Sequence, residues 1–257
     1  MSRIETSGIQ RLRSSSPHQR RSAKPGTKVA LAMNWMFESR LLRQAGLFAA
    51  FVGFSLLLIQ PALAHHPFGG TVPTNFLTGF LSGLGHPVIG IDHFVFVIAI
   101  GLLTSRIAAD KAKTMARASF AIPVTFVVAA MAGTGIHLMA LDLPVPEVVI
   151  SVSVLCFGVA LALRESLGMG AIAPLTAIAG IFHGYAYGEA IVGAEMTPLI
   201  AYLAGFTTIQ LAIALSCYKI GTIALKQLSE QPALKLRFAG FTICGMGLAF
   251  LTGAILA

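Results

Sequence analysis

Residues 76–104 read FLTGFLSGLGHPVIGIDHFVFVIAIGLLT. Asp92 is the one acidic or basic side chain of the Asp, Glu, Lys, Arg set in that stretch. At ~1.5 Å per helical residue the run is longer than the ~30 Å hydrocarbon core of a bilayer. It therefore reads as a membrane span. Comparable apolar stretches follow over about 118–141, 147–163, 170–193, 198–218 and 238–257. Composition agrees: 56% of the 257 residues are hydrophobic and 11% are charged, against roughly 25% charged in a soluble domain. Mean hydropathy is +0.80. These values exclude a disordered chain, a secreted disulfide scaffold and most soluble enzymes. The expected fold is all-α: a polytopic membrane helix bundle of about six transmembrane helices after an N-terminal signal peptide, with short loops and no soluble domain.

The chain divides into three segments. Residues 1–44 are rich in Ser, Arg and Pro, lack apolar periodicity and are expected to be a disordered basic extension. Met33 and Met36 lie just ahead of the next segment, so translation starting at one of them would make residues 1–32 a start-site artefact. Residues 45–64 hold Arg43 at their flank, the apolar run Ala45–Ile59 and the small-residue terminus Ala62-Leu63-Ala64, the pattern of a signal peptide cut before His65. The fifteen-residue run covers ~22 Å, short for a span. Residues 65–257 are the expected six-helix domain.

The net charge of +8 invites a nucleic-acid partner, but its distribution excludes one. Residues 1–43 hold nine Lys/Arg and two acids, while the remaining 214 hold nine basic and eight acidic residues. The body offers no basic face. Its basic residues do set an orientation. Arg106, Lys111, Lys113 and Arg117 fall in the connection 105–117, Arg164 in 164–169, and Lys219, Lys226, Lys235 and Arg237 in 219–237. The connections 142–146 and 194–197 carry Asp142 and Glu195 and no base. The alternation places connections one, three and five in the cytoplasm and both mature termini outside, in agreement with an exported His65. The three cysteines, Cys156, Cys217 and Cys244, stand singly in apolar runs and are expected to be buried packing residues.

Ionisable groups cost roughly 2.5–3.5 kcal/mol at a helix centre in a membrane, so those present are functional candidates. They are His86, Asp92, His93, His137, His183 and Glu189, with His65 and His66 at the mature N-terminus. Pro87 disfavours helical geometry at His86, so the first span is expected to break there, leaving a half-helix over 77–85. In an unbroken helix His86 and His93, seven residues apart, would stand within ~20° of one face. Asp92 would either ligate a metal or orient an imidazole. His183 and Tyr187, four apart, share a face, and Gly184 and Gly188 form a small-xxx-small pair that admits a neighbouring helix. On the expected orientation every one of these groups lies in the outer half of the bundle. Neutral imidazoles with carboxylates and no thiolate suit a divalent transition metal. Each group also has a plainer explanation: a Pro-kinked helix whose His and Asp satisfy each other, a helix–helix interface with buried aromatics, or a lone packing histidine at His137.

The leader ending Ala62-Leu63-Ala64 before His65-His66, the motif His86-Pro87-x-x-Gly90-x-Asp92-His93 and the motif Phe182-His183-Gly184-x-Ala186-x-Gly188 together resemble the HupE/UreJ family over most of residues 45–257. Members are hydrogenase and urease accessory proteins regarded as nickel, sometimes cobalt, permeases of the bacterial cytoplasmic (inner) membrane. The resemblance implies metal transport, with His86, Asp92 and His93 as ligands and His183 and Glu189 as further candidates. Tyr185 and Tyr187 stand where histidine-rich members carry more His, which brings cobalt or iron into consideration beside nickel. The leading expectation is thus a permease and not an enzyme, with the lipid bilayer and a metal ion as partners, no nucleic acid, and a homo-oligomer and metalloenzyme maturation proteins as further partners. The alternatives are an intramembrane metalloenzyme, with Glu189 as base, and a membrane metal-binding accessory or sensor protein that does not translocate.

Overall fold

The computed structural model describes residues 71–110, 120–163, 165, 167–226 and 232–256. The basic extension, the signal segment, His65 and His66 lie outside the described residues. Among those described there are seven α-helices: α1 (Phe76–Ile89), α2 (Ile91–Asp110), α3 (Ala121–Leu138), α4 (Pro146–Ala162), α5 (Met169–Gly188), α6 (Met196–Lys226) and α7 (Pro232–Leu256). A 3-10 turn, Glu189–Ile191, extends α5. Five of these helices, α2, α3, α5, α6 and α7, are long and apolar enough to cross a membrane; α1 and α4 are shorter, at 14 and 17 residues.

The span expected over 76–104 is two helices, and the break falls at Gly90 rather than at His86. Asn75 starts α1 with a capping box, its Oδ1 accepting from Thr78 N at 2.9 Å while Asn75 N donates to Thr78 Oγ1 at 3.2 Å. The helix then continues through Pro87. Proline forfeits one hydrogen bond, but His86 and Pro87 are both buried against neighbouring helices, and that packing outweighs the local preference. Gly90 leaves helical geometry at φ −70°, ψ 99°, while its N–H still donates to His86 O at 3.1 Å. Asp92 then receives the backbone N–H of His93 at 2.8 Å, so an anion sits at the positive N-terminal end of α2.

Helix α2 is the centre of the bundle. Two-thirds of it (67%) is buried, against 28–39% of the other four long spans. Phe96, Ile100, Leu103 and Ile107 recur at helical spacing and are fully buried. Phe96 packs on Phe126 of α3 and Phe157 of α4, with centroids 5.2 and 4.7 Å apart. Both α1 and α2 lie along α6 and run in its direction. Gly79 meets Pro198, Gly83 meets Tyr202, Gly101 meets Ala214 and Gly221 meets Ser105, with both numbers rising together. Helices α3 and α5 also run parallel, with Gly180 against Phe126, Gly184 against Ala130 and Gly188 against His137. Helix α4 is antiparallel to α7, since Leu155 meets Gly247 and Ala162 meets Gly240. In a bilayer such close backbone seams take over the role that apolar burial has in water.

Two expectations are corrected at the periphery. Arg106 is not in a loop: α2 runs to Asp110, and the side chain is 3% exposed. Its guanidinium donates to the carbonyls of Leu161 and Leu163, and Arg237 Nε donates to Ala162 O at 2.8 Å. These are the unsatisfied terminal carbonyls of α4, the negative end of its dipole, which is what draws two arginines there. The cysteines are not buried inside the protein: Cys156 is exposed, and Cys217 and Cys244 are half-exposed. Apolar side chains on this chain have lipid as an alternative apolar phase, so outward placement carries no penalty.

Candidate metal site: a buried histidine cluster

Three imidazoles from three helices meet. His86 closes α1, His93 opens α2 and His183 lies in the penultimate turn of α5; their exposures are 2%, 1% and 0%. His93 Nδ1 and His183 Nδ1 are 2.8 Å apart. The rings of His86 and His93 have centroids 6.0 Å apart. Tyr187, one turn beyond His183, packs edge-on against both His86 (5.2 Å) and His93 (4.7 Å). Phe96 stacks on His183 at 4.3 Å. Tyr202 of α6 donates its hydroxyl to Tyr187 O at 2.7 Å and stands 3.2 Å from His86 Nδ1.

Ser153 of α4 decides how His183 presents itself. Its hydroxyl donates to Ile150 O at 2.6 Å, which uses its one proton. The same oxygen lies 3.0 Å from His183 Nε2 and must therefore accept, so Nε2 carries the hydrogen. In the neutral ring Nδ1 is then a bare lone pair, turned toward His93. His93 Nδ1 is the donor of that pair.

Three residues of the cluster lie at a similar distance from their helix ends. Tyr202 is six residues into α6, Ser153 seven into α4, and His183 five from the end of α5, each ~8–10 Å from the helix end. Those ends carry the connections 139–145 and 192–195.

The other candidates are placed differently. Asp92 is half-exposed and turned to the amide of His93. Glu189 is exposed in the 3-10 turn. His137 packs on Tyr185, centroids 4.5 Å apart, and against Gly188; Tyr185 in turn donates to Asp142 Oδ1 at 3.4 Å. Among the described residues no three His, Cys, Asp or Glu side chains are arranged to hold one ion. The structure thus brings the imidazoles of His86, His93 and His183 together and leaves the carboxylates and His137 outside. Sequence reasoning missed Ser153 and Tyr202. Both are uncharged polar residues in apolar runs, and the signal available was their position on buried helix faces.

The fold and this cluster define a class: a polytopic helical membrane protein with a histidine core between its spans. Within that class the chain belongs to the HupE / UreJ protein family, whose model matches residues 54–250. Protein HupE of Rhizobium leguminosarum bv. viciae is 26% identical over 196 residues, covering 76% of this chain and 94% of that protein. No solved structure matches.

Proposed function

We propose that the protein is a transition-metal uptake permease of the bacterial cytoplasmic membrane, with nickel its first substrate and cobalt or iron its alternatives. Family membership and the run of membrane-length apolar helices support transport. The observation that carries the metal reading is the His93–His183 pair, two ring nitrogens 2.8 Å apart in a membrane-buried site. That spacing is the one an N–H···N hydrogen bond between the two rings gives. The imidazole lone pair on His183 Nδ1 is the donor a divalent transition metal would take. The arriving ion takes the lone pair on His183 Nδ1 directly, and that on His93 Nδ1 once the proton there has moved to the same ring's Nε2. His86, whose ring centroid is 6.0 Å from that of His93, is the third donor once the half-helix α1 moves toward α2.

On this reading α1 and α2 are one discontinuous pass, giving six passes with both mature termini in the periplasm. Helix α1 ends where the ion binds, as broken helices do in other transporters. The carboxylates of Asp92 and Glu189, with His137, His65 and His66, gather the ion on the outer side. The test is uptake of radioactive Ni²⁺, Co²⁺ and Fe²⁺ into proteoliposomes, comparing wild type with His93→Ala. Uptake above protein-free vesicles that falls at least tenfold in the variant is expected. Equal uptake by both removes the histidine cluster from the pathway. Metal binding without uptake makes the protein an accessory chaperone or sensor.

A further inference from the structure

The histidine cluster lies in one half of the bundle, and no acidic or histidine side chain among the described residues marks the way onward through the other half. Helix α6 supplies a different kind of group. Tyr202, Phe206, Gln210 and Ala214 recur every four residues and are all buried, so they form one inward stripe. Tyr202 is the cluster's own hydroxyl. Phe206 packs on both Tyr187 and Tyr202, with centroids 5.7 and 5.8 Å away. Gln210 comes next, ~12 Å along the helix from Tyr202 and ~21 Å from the start of α6, close to its midpoint.

Gln210 is 1% exposed. Among the described residues neither its Nε2 nor its Oε1 has a hydrogen-bond partner. Thr207, one turn back on the same helix, has its Oγ1 buried and likewise without a partner. His137 Nδ1 and Tyr187 Oη share that state, but they adjoin the histidine cluster's end of the bundle, and several other buried hydroxyls are paired. Thr104 donates to Ile100 O, Ser105 to Leu102 O, Thr134 to Gly184 O and Thr176 to Ile172 O, each at 2.7–2.8 Å. Buried polar groups are nearly always paired, and a carboxamide with all its donors and acceptors idle is a costly residue to keep in a membrane span. A Leu or Met of the same volume would sit there without that cost. The amide is explained if something passes that it binds.

We propose that Gln210, with Thr207, is a second, deeper station for the transported cation, separated from the histidine cluster by the ring of Phe206. Its donors are a neutral amide oxygen and a hydroxyl. Such donors suit a divalent ion that retains part of its water shell, held by oxygen and by hydrogen bonds from its waters, and hold it more weakly than imidazoles do. A weak station after a strong one is what lets an ion leave a tight site. The inference rests on the transport reading given under Proposed function.

The test uses the full chain in proteoliposomes with ⁶³Ni²⁺ and ⁵⁷Co²⁺, and the detergent-solubilised protein for equilibrium Co²⁺ binding. Wild type, His93→Ala and Gln210→Leu are compared. The station predicts that Q210L takes up metal at least tenfold more slowly than wild type. It predicts that Co²⁺ affinity at the cluster changes less than threefold and that thermal stability is equal or higher. Wild-type uptake retained in Q210L overturns the station and leaves the transport reading standing. Wild-type uptake no faster than protein-free vesicles overturns the transport reading, and the station with it. Should Q210L fail to fold, Gln210→Met keeps the length and flexibility of the side chain, and the same two outcomes apply.

Discussion

Adding one methyl group at Gly184 is expected to push α3 and α5 away from each other. A Cβ built there would stand 2.5 Å from both the Cα and the carbonyl carbon of Ala130, and nearer still to its oxygen. Carbon–carbon contacts are ordinary at ~3.5–4.0 Å, so the helices must separate by at least ~1 Å at this crossing. Neither obstacle is a flexible side chain that could swing aside. The separation stretches the Thr134 Oγ1 to Gly184 O bond from 2.8 Å beyond hydrogen-bonding range. Overpacking costs about 1–3 kcal/mol and the lost bond about 0.5–1.5 kcal/mol, while replacing glycine in a helix returns about 1 kcal/mol. Gly184→Ala should therefore be destabilised by about 0.5–3.5 kcal/mol. Gly170 of the same helix has nothing within 4 Å of its virtual Cβ, so Gly170→Ala should be neutral or stabilised by up to ~1 kcal/mol. The assay is SDS-induced unfolding of detergent-solubilised protein followed by circular dichroism. Because His183 adjoins Gly184, Co²⁺ affinity should fall in G184A and hold in G170A. A G184A midpoint equal to wild type, or equal losses in both variants, refutes the seam as described.

Three further outcomes follow from the polar groups of the cluster. Ser153→Ala leaves the Nε2–H of His183 without its acceptor and frees the ring to change tautomer, so Co²⁺ binding should weaken about 10–100-fold; Ser153→Thr keeps the hydroxyl and should bind within a few-fold of wild type by the same titration. Tyr202→Phe removes the donor to Tyr187 O and the contact with His86 and should lower stability by about 1–2 kcal/mol. Tyr187→Phe should be neutral or stabilising in the same unfolding assay, since its buried hydroxyl has no partner among the described residues.

The spans were legible because hydrocarbon solvent writes long apolar runs into a sequence, and those over 118–141, 170–193 and 198–218 overlap α3, α5 and α6. The small-xxx-small reading of Gly184 and Gly188 was legible for the same reason: close backbone approach needs missing side chains, and α3 fills the space. The break at Gly90 was not, because Pro87 has the stronger local signal and tertiary packing overrode it. Helix α6 was underestimated, running to Lys226 rather than 218, since a helix does not have to stop where the lipid does. Of the site, His86, His93 and His183 were visible as rare residues in apolar surroundings. That three helices bring them together was not, for the parallel seams of the bundle join segments far apart in sequence. Glu189 looked equivalent to His183 on rarity alone, yet α5 ends at Gly188, and the carboxylate turns outward.

Gly90 separates His86 from His93 without a side chain of its own, and a Cβ there would stand 2.5 Å from the His93 ring. The two imidazoles accordingly ride on different rods that share one pivot. A tilt of α1 against α2 would change the gap between them while leaving the pair formed by His93 and His183 in place. On the proposed metal reading, a single backbone angle would then set how many imidazoles face the ion.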